Sequence, residues 1–219
     1  MEFFLRNIYP WLIQVSSISP ILPFLLGLLW FARHKNWQFR LLYLHVILIV
    51  AIEVAGKVTV MLGTKNNLWL HHLYAPIEFC VLAAIYYCSF RQTAYKRGIL
   101  AAAICFVLFS IVNAVFFESI TQMNSIAKIV ENALLIVLAV LYFYKVSNDL
   151  NIKYLDRDPI FLLSCAMLIY KAGTTMSSAM FNQALAISYD AARICIAITL
   201  VLNILYYASL IFMLKRASA

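Results

Sequence analysis

Residues 41–62 read LLYLHVILIVAIEVAGKVTVML, an apolar run interrupted by one acid, Glu53, and one base, Lys57. A helix that crosses the hydrocarbon core of a bilayer needs about 20 predominantly apolar residues, and this run is long enough. Six more runs of the same kind follow the chain, at about 11–32, 69–90, 99–117, 126–144, 159–181 and 185–213. The composition agrees: 65% of the 219 residues are hydrophobic and 12% charged, where a soluble domain is nearer half apolar and a quarter charged. The expected fold class is all-α, a polytopic integral membrane protein built as one seven-transmembrane-helix bundle over residues 1–219. Met1–Pro10 reads as a short interfacial segment without the order of a signal peptide. Pro20 and Pro23 are expected to bend the first span.

The net charge of +8 is distributed as a topology signal, which argues against nucleic acid as a partner. With the N-terminus outside, eleven of the seventeen Lys and Arg fall on the inner side: Arg33, Lys35, Arg40, Arg91, Lys96, Arg97, Lys145, Lys153, Arg157, Lys215 and Arg216. Only Arg6 and Lys65 fall on the outer side. That is the positive-inside bias and predicts N-out, C-in, in a bacterial inner membrane, with membrane lipids as partners. Five cysteines, Cys80, Cys88, Cys105, Cys165 and Cys195, show no CxxC spacing and read as small buried apolar residues.

After the first span the chain reads as three helical hairpins. Each ascending helix carries a polar residue (Lys57, Asn113, Lys171) and each descending helix an early acid (Glu78, Glu131, Asp190). Such a rhyme is the mark of an internal repeat, and repeats in membrane proteins often frame a central site.

Charges inside spans are costly and mark functional sites. There are four acids, Glu53, Glu78, Glu131 and Asp190, and four bases, Lys57, Lys128, Lys171 and Arg193. Six can neutralise one another locally: Glu53 with Lys57 at i,i+4, Lys128 with Glu131 and Asp190 with Arg193 at i,i+3. Glu78 and Lys171 have no partner on their own helix, so they must pair across the bundle or meet a ligand. His71, Tyr74 and Glu78 share one helix face, as do Lys171, Thr174, Thr175 and Ser178. Asn113, Asn132 and Ser188 add to the polar groups of the same half. The expectation is an outward-facing, charge-balanced polar cavity lined by Glu53, Lys57, His71, Tyr74, Glu78, Asn113, Glu131, Asn132, Lys171, Thr174, Asp190 and Arg193, closed on the inner side by aliphatic and aromatic packing.

Several chemistries find no support. Adjacent His71 and His72 point about 100° apart on a helix, and no HxxxH or cysteine pair completes a metal set; no metal or cofactor is expected. No GxSxG or phosphate-binding glycine loop is present. Acid–base chemistry remains, with Glu53, Glu78 or Asp190 as catalytic candidates. Glu53 and Asp190 are loosely similar in placement to the acids of seven-helix membrane terpene cyclases, without a local motif to match. The first expectation is a ligand-binding protein, a receptor, sensor subunit or transporter for a small polar or amphipathic molecule, with a separate signalling or assembly protein as a further partner. The alternatives are an intramembrane enzyme acting on a lipid or isoprenoid, and a structural or assembly subunit.

Overall fold

The computed structural model describes residues 3–31, 36–64, 66–148 and 155–218; Arg33, Lys35, Lys65 and Lys153 of the charge pattern lie outside them. Among the described residues every regular element is helical. A π-turn over Phe4–Ile8 leads into α1 (Tyr9–Ile18), followed by α2 (Ile21–Phe31), α3 (Trp37–Met61), α4 (Trp69–Ser89) and α5 (Thr93–Val112). A second π-turn, Asn113–Phe117, ends α5; then come α6 (Ser125–Asn148), α7 (Pro159–Ile187) and α8 (Tyr189–Ala217).

Six of these stretches are long and apolar enough to cross a membrane: Phe4–Phe31, α3, Thr93–Phe117, α6, α7 and α8. The expected span at 69–90 is present as α4, but it does not count among the six. It carries His71, His72, Pro76 and Glu78, and it packs against α3, α5, α6 and α7. Such a helix turns Glu78 to protein and keeps a narrow apolar face, Leu73, Ile77 and Cys80, exposed, so it needs less apolar character than one facing lipid on most sides. The surface around it is apolar instead: Leu25, Leu29, Leu108, Ile111, Ile169, Met176 and Leu205 are all exposed. A solvated protein does not leave so many large apolar side chains open, and the chain is read as membrane-embedded.

The segment ahead of Pro10 and the cysteines depart from expectation, and the expected bend is found at one of its two prolines. The helix already runs from Phe4, so the stretch ahead of Pro10 joins the first span instead of lying apart from it. The bend falls at Ser19–Pro20, between α1 and α2, where the proline has no amide hydrogen for the helical ladder and Ser19 Oγ donates back to the Ser16 carbonyl at 2.7 Å. The cysteines are also less buried than expected: Cys80, Cys88 and Cys105 lie on the outer surface and only Cys195 is buried.

The core is divided along the bundle axis. Toward the end where α3 begins and α4 ends, Phe39, Leu42, Val46, Phe79, Leu82, Ile85, Leu135, Leu163 and Leu210 form a continuous apolar cluster. The described basic residues Arg40, Arg91, Lys145, Arg157 and Lys215 lie at this same end, beyond the apolar layer. Most buried polar side chains gather in the other half; His45, 3.0 Å from the Tyr206 hydroxyl, and Ser164, 3.0 Å from that of Tyr86, are paired within the apolar half.

One tight approach fixes α2 on α3. Tyr43 donates its hydroxyl to the Phe24 carbonyl at 3.3 Å, and its ring lies across Gly27 so closely that an added Cβ would overlap Cδ2 and Cε2. A phenol ring wedged between two helices cannot turn aside as an aliphatic tip can. Gly27→Ala is therefore expected to destabilise the bundle by about 1–3 kcal/mol, seen as a lower thermal midpoint in detergent. An unchanged midpoint would mean that α2 is free to shift.

Candidate functional site

The site begins with how α6 starts. The 118–124 connection brings Glu118 back over the helix, and its carboxylate accepts from the amides of Ser125 (3.0 Å) and Ile126 (3.0 and 3.1 Å). An acid at a helix N-terminus satisfies orphan amides and complements the dipole. Asn113 Nδ2 holds Glu118 at 2.9 Å and also reaches Asn124 Oδ1 at 3.3 Å, while Asn124 Nδ2 donates to the His71 carbonyl. Asn113 thus serves the cap of α6 and does not line the cavity. Glu118→Ala is expected to cost about 1–2 kcal/mol, measured as loss of thermal stability, with faster hydrogen exchange confined to the first turns of α6. Uniform exchange along α6 would contradict a capping role.

With α6 so placed, Lys128 and Glu131 turn inward on one face and meet Glu78 of α4 and Lys171 of α7. The four side chains close a ring. Lys128 Nζ is 2.7 Å from Glu78 Oε2 and 3.0 Å from Glu131 Oε2; Lys171 Nζ is 3.0 Å from Glu78 Oε1 and 3.4 Å from Glu131 Oε1. Each carboxylate oxygen receives one ammonium, so the quartet is neutral and its acids are satisfied. Glu78, Glu131 and Lys171 are buried, whereas the Lys128 side chain keeps 26% of its exposure. The ammonium of Lys128 stands 5.2 Å from the Tyr74 ring centroid and that of Lys171 5.4 Å from Tyr170, within the range of cation–π attraction. The two charges without a partner on their own helix have found each other.

Beside the quartet, toward the 123–125 connection, lies a cavity of about 190 Å³. Its lining includes Glu53 and Ile49 of α3, His71 and Tyr74 of α4, Lys128 of α6, Tyr170, Thr174 and Ser178 of α7, and Thr199, Asn203 and Tyr207 of α8. Tyr170 donates to Asn203 Oδ1 at 2.8 Å, which fixes both side chains on the wall. Asn132 braces α6 on α7 through Thr175 (3.0 Å) and Thr174 (3.4 Å), while its own Oδ1 has no hydrogen-bond partner. A wider crevice of about 540 Å³ runs between α1 and α3 and shares Ile52, Glu53 and His71 with the cavity. Glu53 therefore stands at the junction of the two.

The expected site residues separate into three groups. Glu53, His71, Tyr74 and Thr174 line the cavity. Glu78, Glu131 and Lys171 lie buried beside it, joined to the wall through Lys128, and Asn132 braces α6 on α7. Lys57, Asp190 and Arg193 stand apart. Lys57 is exposed and lines the α1–α3 crevice, and no ion pair joins it to Glu53 although the spacing allows one. Asp190 and Arg193 do pair, at 3.2 Å, but with both side chains more than half exposed at the start of α8. Ser188 is the cap of α8, accepting from the Ala191 amide. The three-hairpin rhyme thus breaks: Glu78 and Glu131 converge but Asp190 does not, and Lys171 converges without Lys57 or Asn113.

Sequence reasoning missed Tyr170, Asn203 and Tyr207 on the wall and Glu118 behind it. Tyr207 and Tyr170 belong to no polar pattern within their own helices, Tyr170 being marked only as the residue before Lys171. Among the described residues no three of His, Cys, Asp and Glu come together as a metal set would require. No family model matches the chain, and comparisons with curated proteins and with solved structures give no match either.

Proposed function

We propose that the chain is a seven-span membrane protein that binds a small amphipathic organic cation in the cavity beside the ion quartet, as a receptor, sensor subunit or transporter. One observation carries this reading. The quartet, with Lys128 on the wall, cancels its own charge, so among the described residues Glu53 is the acid that faces the cavity without an ion-pair partner; Tyr207 stands near it, as do Tyr74 and Tyr170, whose rings are shared with the ammonium groups of Lys128 and Lys171. A carboxylate for the charge and aromatic faces around it are the recognition chemistry of an amine or quaternary ammonium. The cavity is smaller than the roughly 300–1,000 Å³ of drug-sized sites, which suits a compact headgroup, and the α1–α3 crevice offers room for an apolar portion. The positive-inside bias supports placing the cavity on the outer side of the bacterial inner membrane, N-terminus out, with α4 as the seventh span.

Glu53 also keeps the enzymatic alternative in view, because an acid in a tyrosine-lined cavity could protonate an isoprenoid. Neither Glu78 nor Asp190, the other candidate acids, faces the cavity, so binding is the better-supported reading. The test is a panel of organic amines and quaternary ammonium compounds, scored by thermal stabilisation of the purified protein and of its Glu53→Gln variant. Stabilisation of the wild type alone is the expected result. Stabilisation of both, or turnover of an isoprenoid, would overturn it.

A further inference from the structure

A second site, unrelated to the cavity, lies at the basic end. The end of α4, the start of α5 and the end of α6 enclose a pocket of about 490 Å³ lined by Phe90, Arg91, Gln92, Tyr95, Tyr144, Lys145 and Asn148. Arg91 is exposed. Lys145 Nζ donates to the Ser89 carbonyl at 2.8 Å, which fixes the ammonium at the pocket and leaves donors over, since a lysine has three. Its position is held further by the rings of Tyr142 at 5.1 Å and Phe90 at 5.9 Å. Among the described residues the lining contains two cations and no carboxylate. Asp158, which accepts the Tyr142 hydroxyl at 2.6 Å, is occupied there and in capping Ile160 at the start of α7.

This basic pocket continues into an apolar one. Tyr95 is shared with a crevice of about 280 Å³ between α5 and α6, lined by Gly98, Ile99 and Ala102 on one side and Leu134, Val137 and Leu141 on the other. The two helices diverge here: no heavy atom lies within 4 Å of a Cβ built on Gly98. Leu134, Val137 and Leu141 lead along α6 toward Lys145, so the crevice runs down the bundle from the cationic pocket. In a bilayer this places two cations and the tyrosines Tyr95 and Tyr144 at the headgroup level, and a lipid-facing apolar slot below them.

We infer that this composite groove is a binding site for one anionic phospholipid, its phosphate held by Arg91 and Lys145 and an acyl chain laid between α5 and α6. A basic pocket between transmembrane helices is the known mode of anionic headgroup recognition. The continuous apolar slot selects a lipid over a soluble phosphate, because an isolated phosphate leaves that slot unfilled.

The test follows lipid retained by the detergent-purified protein in native mass spectrometry. The probes are phosphatidylglycerol and phosphatidylcholine with identical chains, and glycerol phosphate is the soluble competitor. Wild type is expected to retain the anionic lipid at least tenfold over the zwitterionic one, with glycerol phosphate unable to displace it. The double variant Arg91→Gln with Lys145→Gln is expected to lose that preference. Because Lys145 also ties α6 to α4, the exposed Arg91→Gln alone is the deciding headgroup variant, expected to lower the preference about threefold. Gly98→Leu fills the slot at an exposed helix position that favours a side chain, and is expected to reduce retention of the anionic lipid tenfold at unchanged thermal stability. Equal retention of the two lipids by wild type, displacement by glycerol phosphate, or full retention by Gly98→Leu would each overturn the assignment.

Discussion

Lys171→Met is expected to destabilise the protein by about 3–5 kcal/mol, because removing one partner from a buried ion pair leaves an uncompensated charge behind. Methionine fills nearly the same space, so the loss isolates charge from packing. With Lys171 gone, Glu78 and Glu131 share a single ammonium, that of Lys128, at 2.7 and 3.0 Å, in a site where Glu131 has no exposed surface. Folded domains hold only about 5–15 kcal/mol in reserve, so the thermal midpoint in detergent should fall steeply. The double variant Lys171→Met with Glu131→Gln should recover most of the loss, since Glu78 and Lys128 then remain as a balanced pair. The coupling between the two changes, obtained from the four stabilities, is the quantity to measure. A single variant as stable as wild type, or a double that loses as much as both singles together, would show that the ring contributes no net charge compensation.

This outcome bears on which parts of the site the sequence could disclose. That the intramembrane charges sum to zero was legible from composition, and the Lys128–Glu131 pair from its spacing along one helix. The convergence of Glu78 with Lys171 was not, because it depends on which faces of α4, α6 and α7 meet, and no pattern within a single helix contains that. The i,i+4 spacing of Glu53 and Lys57 misled in the opposite sense. Spacing brings two side chains within reach, but the pairing is worth only about 0.2–0.5 kcal/mol on an isolated helix. A lysine at an exposed position can instead extend along the apolar surface toward polar surroundings. Lys57 is exposed while Glu53 is half-buried at the cavity, so the stretch that decided the fold also supplies the acid left available for a ligand.

The apolar helices were the easiest feature to read, and the central one the hardest. Hydropathy finds helices that face lipid with most of their surface, and α4 packs against four others while exposing Leu73 and Ile77, so its polar residues weaken the very signal that marks the rest. Those residues are also what the site needs: Tyr74 and His71 for the wall, Glu78 for the ring. Caps formed by residues remote from the helix start were equally hidden. Glu118 stands seven residues ahead of Ser125, too far for the usual capping spacing, and becomes a cap only because the 118–124 connection folds back.

Glu53→Gln should leave the fold standing and remove the binding proposed for the cavity. The substitution keeps the shape and discards one charge. Among the described residues that charge takes part in no ion pair, so no partner is orphaned by its loss, and the thermal midpoint without ligand should stay near that of wild type. For a bound organic cation the consequence is different. Losing one member of a desolvated, hydrogen-bonded charge pair costs about 2–5 kcal/mol, and each 1.4 kcal/mol is a factor of ten in affinity, so Kd should rise by about 30-fold or more. Tyr207→Phe, which keeps the aromatic face, should change affinity far less than Glu53→Gln if the ring attracts through its face and not its hydroxyl. Asp190→Asn supplies the control: it removes the same charge from the same end of the bundle, but at an exposed side chain outside the cavity. Equal loss of affinity in Asp190→Asn and Glu53→Gln would reduce the effect to the general field of that end of the bundle, and the cavity would have no claim as the site. Loss in Glu53→Gln alone, at constant stability, separates recognition from the structural task of the quartet, because Lys171→Met is expected to fail in stability first.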